Sequence, residues 1–481
     1  MRAAVVYTLV LACGIAAKKQ AQISRINDVL RENGFSRLTG RLAQIHDAAI
    51  GQKLISQDSV DGVTFEKTDE SKAADGTTIR VQQLYNGVEV FGYGAVVHIT
   101  DGSAVHATIY NAIVAEGLNE ALEPFASAPF VSADAAAAAA RAQLKLSADG
   151  EGRVRRVVYV DSETAEVTYG YFMELHNRNA ATLHIPNVVT DAQGNVVDHW
   201  EGVHSKKPTK YSKAFQFPRY ANFNRLVNYG YSPINDLLVY GQNTHDMYTA
   251  YYGKAPWKTQ LVLKAHYLIG EDNAGYASLY KAAYFGDGRR SFYPLPSGLD
   301  VVAHEVSHGV TSESSGLLYK GQSGGMNEAF SDMGGKTVEA YIRGYDNDNF
   351  EWGVGYDVTK PARGRSLRCM DNPPCDKRSI DHVRDYKGQN VHLTSGIYNK
   401  MFYTLSQKIG SIKTAFDIFY IANTRYWNKF TSFQQGAELT LKALAHMKQR
   451  MHLPSNDYSK VAYQDVVAAF RVVNEIKDVK I

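Results

Sequence analysis

The stretch Leu299-Asp300-Val301-Val302-Ala303-His304-Glu305-Val306-Ser307-His308 places two histidines four residues apart in a largely apolar run. On an α-helix such positions lie one above the other, so both imidazoles can reach one ion from a single rigid element. Glu305, next to the first histidine, then stands beside the ion's open coordination position. This is zinc-ligand spacing with a general base built in, and its apolar setting requires a core large enough to bury the helix. At this composition roughly 0.02 such patterns arise by chance, so the reading depends on a third ligand.

That ligand is supplied downstream by Gly324-Gly325-Met326-Asn327-Glu328-Ala329-Phe330-Ser331-Asp332, where a second helix is predicted to start after the glycine pair. Glu328 and Asp332 are again four apart and share a face. Glu328 completes the three protein ligands of a catalytic zinc site, with the fourth place left for water. Asp332 can accept the second ring N–H of a ligating histidine and fix its tautomer. The alternative, two carboxylates on a solvated face, sits poorly with Ala329, Phe330 and Met333 around them.

The chain has 481 residues, 44% hydrophobic and 21% charged, so it can bury a sizeable core and is not a disordered polymer. Its formal charge of +3 is far from the basic surplus that phosphate binding needs, and nucleic acid is not expected as a partner. Arg2, the apolar run Ala3 to Cys13 and the small residues Gly14-Ile15-Ala16-Ala17 before Lys18-Lys19 read as a secretory signal peptide over 1–17. No later segment approaches the ~20 apolar residues of a membrane span, so a secreted, extracellular protein with no membrane partner is expected. Cys13 leaves with the signal, and export favours a disulfide between Cys369 and Cys375; two free thiols are the alternative.

Composition changes near residue 205. Before it lie alternating runs such as Ala95-Val96-Val97-His98-Ile99 and the turn signals Asn86-Gly87, Asp101-Gly102 and Gln193-Gly194. The alanine tract Ala135 to Ala140 follows the N-cap candidate Ser132 and is predicted helical. Two small α+β units are expected, over 18–110 and 111–205. The basic, Pro-containing Ser205-Lys206-Lys207-Pro208-Thr209-Lys210 reads as an exposed linker open to proteolysis. Beyond it, periodicity predicts helices over Gly396 to Lys408, Ile412 to Tyr426, Ser432 to Met447 and Tyr463 to Val473.

The combination His304-Glu305-x-x-His308 with Asn327-Glu328-Ala329-x-Ser331-Asp332 resembles the thermolysin family of secreted zinc endopeptidases. The likeness runs through Ala303 to Gly335, including Gly316-Leu317-Leu318-Tyr319, and returns in Tyr231-Ser232-Pro233-Ile234-Asn235-Asp236, Leu367-Arg368-Cys369-Met370-Asp371 and Val391 to Asn399. Tyr85 to Gly92 is similar to the family's propeptide and Thr190 to Gly194 to its PepSY-like unit. The resemblance implies an α+β precursor with a two-lobed catalytic domain. Propeptide units would precede an N-terminal lobe over 206–312, with the zinc helix at the lobe interface and a largely helical C-terminal lobe over 313–481.

It also implies roles. Glu305 would be the general base, with Tyr319 and His392 as donors to the oxyanion; read alone, they would be a core tyrosine and a surface histidine. Arg368 would grip a substrate carbonyl, Leu367 and Val301 would line a pocket for a large hydrophobic residue after the scissile bond, and Asn273-Ala274 would pair with substrate as an added strand. Protein or peptide substrates are implied, with the propeptide as intramolecular inhibitor and folding aid, and a monomer is expected.

The sequence departs from the pattern at several points. Asn273-Ala274 is followed by Gly275-Tyr276 in place of an early tryptophan, and about two extra residues precede Gly286-Asp287-Gly288. Asn390 stands where many relatives have the aspartate that orients the equivalent of His392. Asp300 and Glu339 match calcium ligands, but Lys336 replaces a neighbouring glutamate. An ammonium there neutralises two carboxylates and repels a divalent cation, so one calcium site is expected to be weakened or absent. Only about 25 residues run from Ser205, where the linker begins, to Tyr229, which implies either a shortened N-terminal lobe, with a more open cleft, or a sequence that lacks a segment.

The chain is therefore expected to be a zinc endopeptidase made as a secreted zymogen. The competing class is a zinc-binding protein of the same fold that cannot hydrolyse peptides because its β-lobe is truncated. Intact Glu305, His392 and Tyr319 oppose it. An aminopeptidase is disfavoured by the lack of a Gly-x-Met-Glu-Asn-like motif.

Overall fold

A computed structural model of the chain describes residues 41–45, 49–50, 62–73, 76–99, 107–116, 118–122, 129–161, 166–177, 184–204, 226–227, 230–231, 233–267, 272–344, 350–450, 458 and 461–473. The expected signal peptide (1–17) and basic linker (205–210) lie outside the described residues. Two compact units are formed: one runs to Leu175 and takes back Asn187–His199, and the other comprises His176–Pro186 and the chain from Trp200 onward.

The first unit is built on a ten-stranded sheet of β1 (Arg41–Ile45), β2 (Ala49–Ile50), β3 (Val63–Ala73), β4 (Gly76–Tyr85), β5 (Val88–Ile99), β6 (Ala107–Glu116), β7 (Gly152–Val160), β8 (Val167–Leu175), β9 (Pro186–Asp191) and β10 (Val196–Glu201). Neighbours are antiparallel except β5 and β7, which join in parallel through Glu89↔Val157 and Val90↔Val158. Both leading α+β segments thus contribute strands to one sheet. Asn86 and Gly87 turn the β4–β5 hairpin in the left-handed region (φ 47° and 78°), as the Asn-Gly signal predicts. The helix α1 (Leu118–Leu122) precedes α2 (Ala133–Gln143), which holds the alanine tract and is capped by Ser132, whose Oγ accepts the Ala135 N–H at 3.1 Å. Ala136 and Ala140 pack on Tyr171, Met173 and Val188, where a longer side chain would lift the helix off the sheet.

In the second unit, β11 (Val203–His204) begins a four-stranded sheet, and β12 (Leu226–Val227) and β13 (Gly230–Tyr231) form a separate pair. The helix α3 (Pro233–Tyr252) follows, then β14 (Leu263–Lys264), β15 (Ala274–Ala277) and β16 (Ala282–Phe285), which complete the sheet in the order β11-β15-β16-β14. Against it packs α4 (Leu299–Ser312), the helix with the two histidines. Val302 and Val306 meet Trp257, Tyr276, Phe285 and Leu237 in one apolar cluster. Trp257 is tied to the helix by its indole N–H, which donates to the Val306 carbonyl at 2.7 Å.

The neighbouring α5 (Gly321–Arg343) lies against α4. A Cβ at Gly335 would stand 2.5 Å from the Asp300 carbonyl, so the glycine permits the approach that brings Glu328 and Asp332 to the histidines. The helix starts at Gly321, earlier than the glycine pair suggests, because Gly324 and Gly325 do not break it: they make room for Val391 and Thr394. The pair β17 (Gly353–Val354) and β18 (Arg368–Cys369) and the short helix α6 (Val391–Thr394) complete the surroundings of the site.

Helices α7 (Gly396–Ile409), α8 (Ile412–Ile421), α9 (Phe433–Arg450) and α10 (Tyr463–Arg471) follow the predicted periodicity closely. Ends differ by one to three residues elsewhere, and the largest difference is that α8 stops at Ile421 and a π-helical turn covers Ala422–Tyr426. There Asn423 donates to Thr311 Oγ1 at 3.0 Å, anchoring the turn to the end of α4.

Candidate metal centre

Three ligand atoms, one each from His304, His308 and Glu328, all lie within 4.8 Å of one another. His304 Nε2 and His308 Nε2 are 3.0 Å apart, His308 Nε2 is 3.3 Å from Glu328 Oε1, and His304 Nε2 is 3.7 Å from Glu328 Oε2. A tetrahedral zinc ion with ~2.1 Å bonds would separate its ligand atoms by about 3.4 Å. The buried Glu328 Oε2 and Glu305 Oε2 accept no hydrogen bond among the described residues, and two imidazole nitrogens facing each other cannot both donate. The donor set, its spacing and the orphaned oxygens fit zinc.

The ring nitrogens turned away from this point are held. His304 Nδ1 lies 2.8 Å from Asp332 Oδ1. His308 Nδ1 lies 2.8 Å from the Asn327 side-chain oxygen, and the Asn327 amide is fixed in turn by donating to the Leu317 carbonyl at 2.9 Å. Burial lowers the His308 pKa and keeps its imidazole neutral, the form that ligates. Although burial opposes it, His392, His308 and His304 hold Glu328 well below the usual carboxylate range. Burial pushes the Glu305 carboxyl up to about 8, with Glu328 adding and His304 and Arg368 opposing.

Tyr319 and His392 reach the same place. The Tyr319 hydroxyl donates to Glu328 Oε1 and lies 3.1 Å from His392 Nε2. Burial and Glu328 keep the phenol well above its usual pKa, so it stays a donor. Asn390 caps α6 by accepting the His392 N–H at 3.0 Å, and the same oxygen lies 2.8 Å from His392 Nδ1. An amide thus occupies the orienting position.

A pocket beside the centre is lined by Asn273, Ala274, Val301 and Leu367, together with Leu295, Val354 and Val358, and reaches Glu305, Arg368 and His392. The Asn273 backbone carbonyl accepts the Gly286 N–H at 2.9 Å. The Arg368 guanidinium borders the pocket but is engaged by Asp332, to which Nε donates at 2.7 Å and Nη2 at 2.5 Å. Cys369, next to it, is joined to Cys375, so the pair is a disulfide and the free-thiol alternative falls. Asp300 and Glu339 lie away from this pocket and share the Lys336 ammonium.

Sequence reasoning missed three residues of the site. Asn327 stood in the motif without a role. Asn399, which donates to Asp332 Oδ2 at 2.8 Å, stood in the Val391–Asn399 stretch. Asp272 carried no signal: its carboxylate accepts the backbone N–H groups of Arg289, Arg290, Ser291 and Phe292 at 2.6–3.2 Å and fixes the loop that forms one wall of the pocket.

Comparison with known proteins agrees with this centre. Residues 227–312 match the thermolysin metallopeptidase catalytic domain, residues 315–474 the thermolysin metallopeptidase alpha-helical domain, and residues 63–108 the fungalysin/thermolysin propeptide motif. The hemagglutinin/proteinase of Vibrio cholerae is 30% identical over 509 residues, covering 92% of this chain and 78% of that protein. The chain belongs to the thermolysin family of zinc metalloendopeptidases. The neutral protease of Vibrio proteolyticus is 41% identical over 230 residues, 47% of this chain and 36% of that protein. Among solved structures, the precursor of protealysin, a metalloproteinase from Serratia proteamaculans, aligns at 26% identity and a TM-score of 0.43, covering 50% of this chain and 78% of that chain. The propeptide motif precedes the catalytic part of this chain. Among the described residues no helix is long and apolar enough to cross a membrane.

Proposed function

We propose that the chain is exported as a zymogen and cleaves peptide bonds on the amino side of large hydrophobic residues. One observation carries the reading: a buried Glu305 carboxylate oxygen that accepts no hydrogen bond among the described residues lines the same apolar pocket as His304 and Glu328 of the His304, His308 and Glu328 cluster. His304, His308 and Glu328 would hold one zinc ion, which when bound polarises a carbonyl and acidifies water. Glu305 takes the proton of the attacking water and delivers it to the leaving amine. Tyr319 and His392 donate to the oxygen on which charge develops, each contributing on the order of 3 kcal/mol. Asp332, Asn327 and Asn390 keep the imidazoles oriented. Val301 and Leu367 favour an apolar side chain after the scissile bond, Arg368 meets the substrate carbonyl, and Asn273-Ala274 offers the strand edge.

The segments 18–110 and 111–205 act as propeptide, inhibiting the catalytic part and assisting its folding until the basic stretch 205–210 is cut; the mature monomer works outside the cell. The test is hydrolysis of casein and of furylacryloyl peptides by secreted, linker-cut protein. Turnover that is lost on chelation, returns with zinc and is absent from Glu305→Gln is expected. Zinc bound at one per chain without turnover in the unsubstituted protein would establish a binding protein instead.

A further inference from the structure

The family implies calcium near Asp300 and Glu339, and the residues present do not fit it. Lys336, on α5, is buried with its side chain 1% exposed. Its ammonium lies 3.6 Å from Asp300 Oδ2, donates to Glu339 Oε2 and donates to the Gly353 carbonyl at 3.1 Å. The Phe350 ring covers it, with its centroid 5.0 Å away. Calcium would need six to eight oxygens at about 2.3–2.6 Å. Here the carboxylates and the carbonyl already surround a tethered positive charge, and a divalent ion would have to be buried against it. A second cation reinforces the arrangement: Arg343 Nη1 lies 2.9 Å from Glu339 Oε1 and its Nη2 donates to Asp357.

We infer that the Lys336 ammonium is a built-in substitute for a bound divalent cation, holding α4, α5 and the β17–β18 pair in register around the metal centre without calcium. The three partners place it there. Asp300 lies one turn before His304 on α4 and also accepts the Gly355 N–H at 2.7 Å. Glu339 is on α5, which carries Glu328 and Asp332. Gly353 is on β17, whose next residue, Val354, pairs with Arg368, the arginine that grips Asp332. Lys336 is thus a positioning residue, reaching His304 along its own helix and through the Arg368–Asp332 pair. A covalently attached cation cannot dissociate, so the corner stays ordered in calcium-poor surroundings. The inference uses the peptidase reading only for one of its readouts.

The test compares the linker-cut protein with Lys336→Glu and Lys336→Met in metal-depleted buffer resupplied with zinc, with and without millimolar calcium. Bound calcium per chain, Tm and peptidase kcat and KM are recorded. The unsubstituted protein should gain neither Tm nor activity from calcium. Lys336→Met, an apolar side chain of similar length, should lose about 10 °C in Tm and not recover with calcium. Lys336→Glu should be equally weakened without calcium, bind one more calcium per chain than the unsubstituted protein, and regain Tm and kcat when it is added. Equal calcium binding by the unsubstituted protein and Lys336→Glu overturns the inference, as does Lys336→Met with unchanged Tm and kcat, an outcome readable even if Lys336→Glu does not fold. Tm and stoichiometry decide it even for a protein without turnover.

Discussion

Asp332 grips Arg368 and His304 with one carboxylate: Oδ2 accepts the Arg368 Nε–H at 2.7 Å while Oδ1 stands 2.8 Å from His304 Nδ1. Burial opposes ionisation, but Arg368 and His304 hold this carboxyl far below its ordinary pKa. An amide at this position offers one accepting oxygen where the carboxylate offers two, and it cannot balance the buried guanidinium. Asp332→Asn should therefore weaken zinc binding about 10–100-fold and cost about 3–5 kcal/mol of stability through the uncompensated Arg368. Competition with a zinc chelator and urea unfolding measure the two effects. A variant that unfolds like the parent would mean that the pair contributes nothing net.

Tyr319 donates to Glu328 and faces His392. In the proposed mechanism, removing its hydroxyl deletes a donor to the oxygen on which charge develops, and the loss falls chiefly on the transition state. Tyr319→Phe should lower kcat by about 10²-fold with little change in KM, while zinc stoichiometry stays at one. A loss confined to KM would assign Tyr319 to ground-state binding.

Gly309 follows the second histidine on α4, and a Cβ there would collide with the Trp257 indole. That indole is buried and bonded to the Val306 carbonyl, so it cannot swing away freely. Gly309→Ala should destabilise the catalytic part by about 1–3 kcal/mol through overpacking, even though alanine is the better helix former. Thermal unfolding checks it, and a stabilised variant would show that Trp257 can retreat without loss.

The candidate ligands His304, His308 and Glu328, with Asp332 beside them, were legible because a four-residue spacing converts directly into a shared helix face, and all four lie on two helices whose existence the pattern already signals. What was not legible depends on where separate elements meet. Asn327 finds His308 only because α5 approaches α4, and Asn399 finds Asp332 only because α7 lies behind it. Gly324 and Gly325 read as a break but serve packing against Val391 and Thr394, since a sequence does not reveal whether a missing Cβ frees the backbone or admits a neighbour. Asp272 gathers four backbone donors through a loop closure that no periodicity announces.

The charge cluster at Lys336 has a pH signature of defined sign. Burial, with Asp300 of α4 adding, pushes the Glu339 carboxyl up to about 7, against the pull of Lys336 and Arg343 on its own helix; Asp357 faces the cluster through Arg343. A carboxyl raised on folding contributes stability that is full below the unfolded pKa and is lost as pH rises through the folded one. Lys336→Met removes a cation that pulls the value down, so the folded pKa of Glu339 moves higher and more stability is lost on the alkaline side. The stability gap between parent and variant should therefore widen from about pH 6 to about pH 9, as read by urea unfolding across that range. Adding Glu339→Gln to the same protein should abolish the widening, because the titrating group is gone. A gap that stays constant with pH in Lys336→Met would break the Coulombic link between the two side chains.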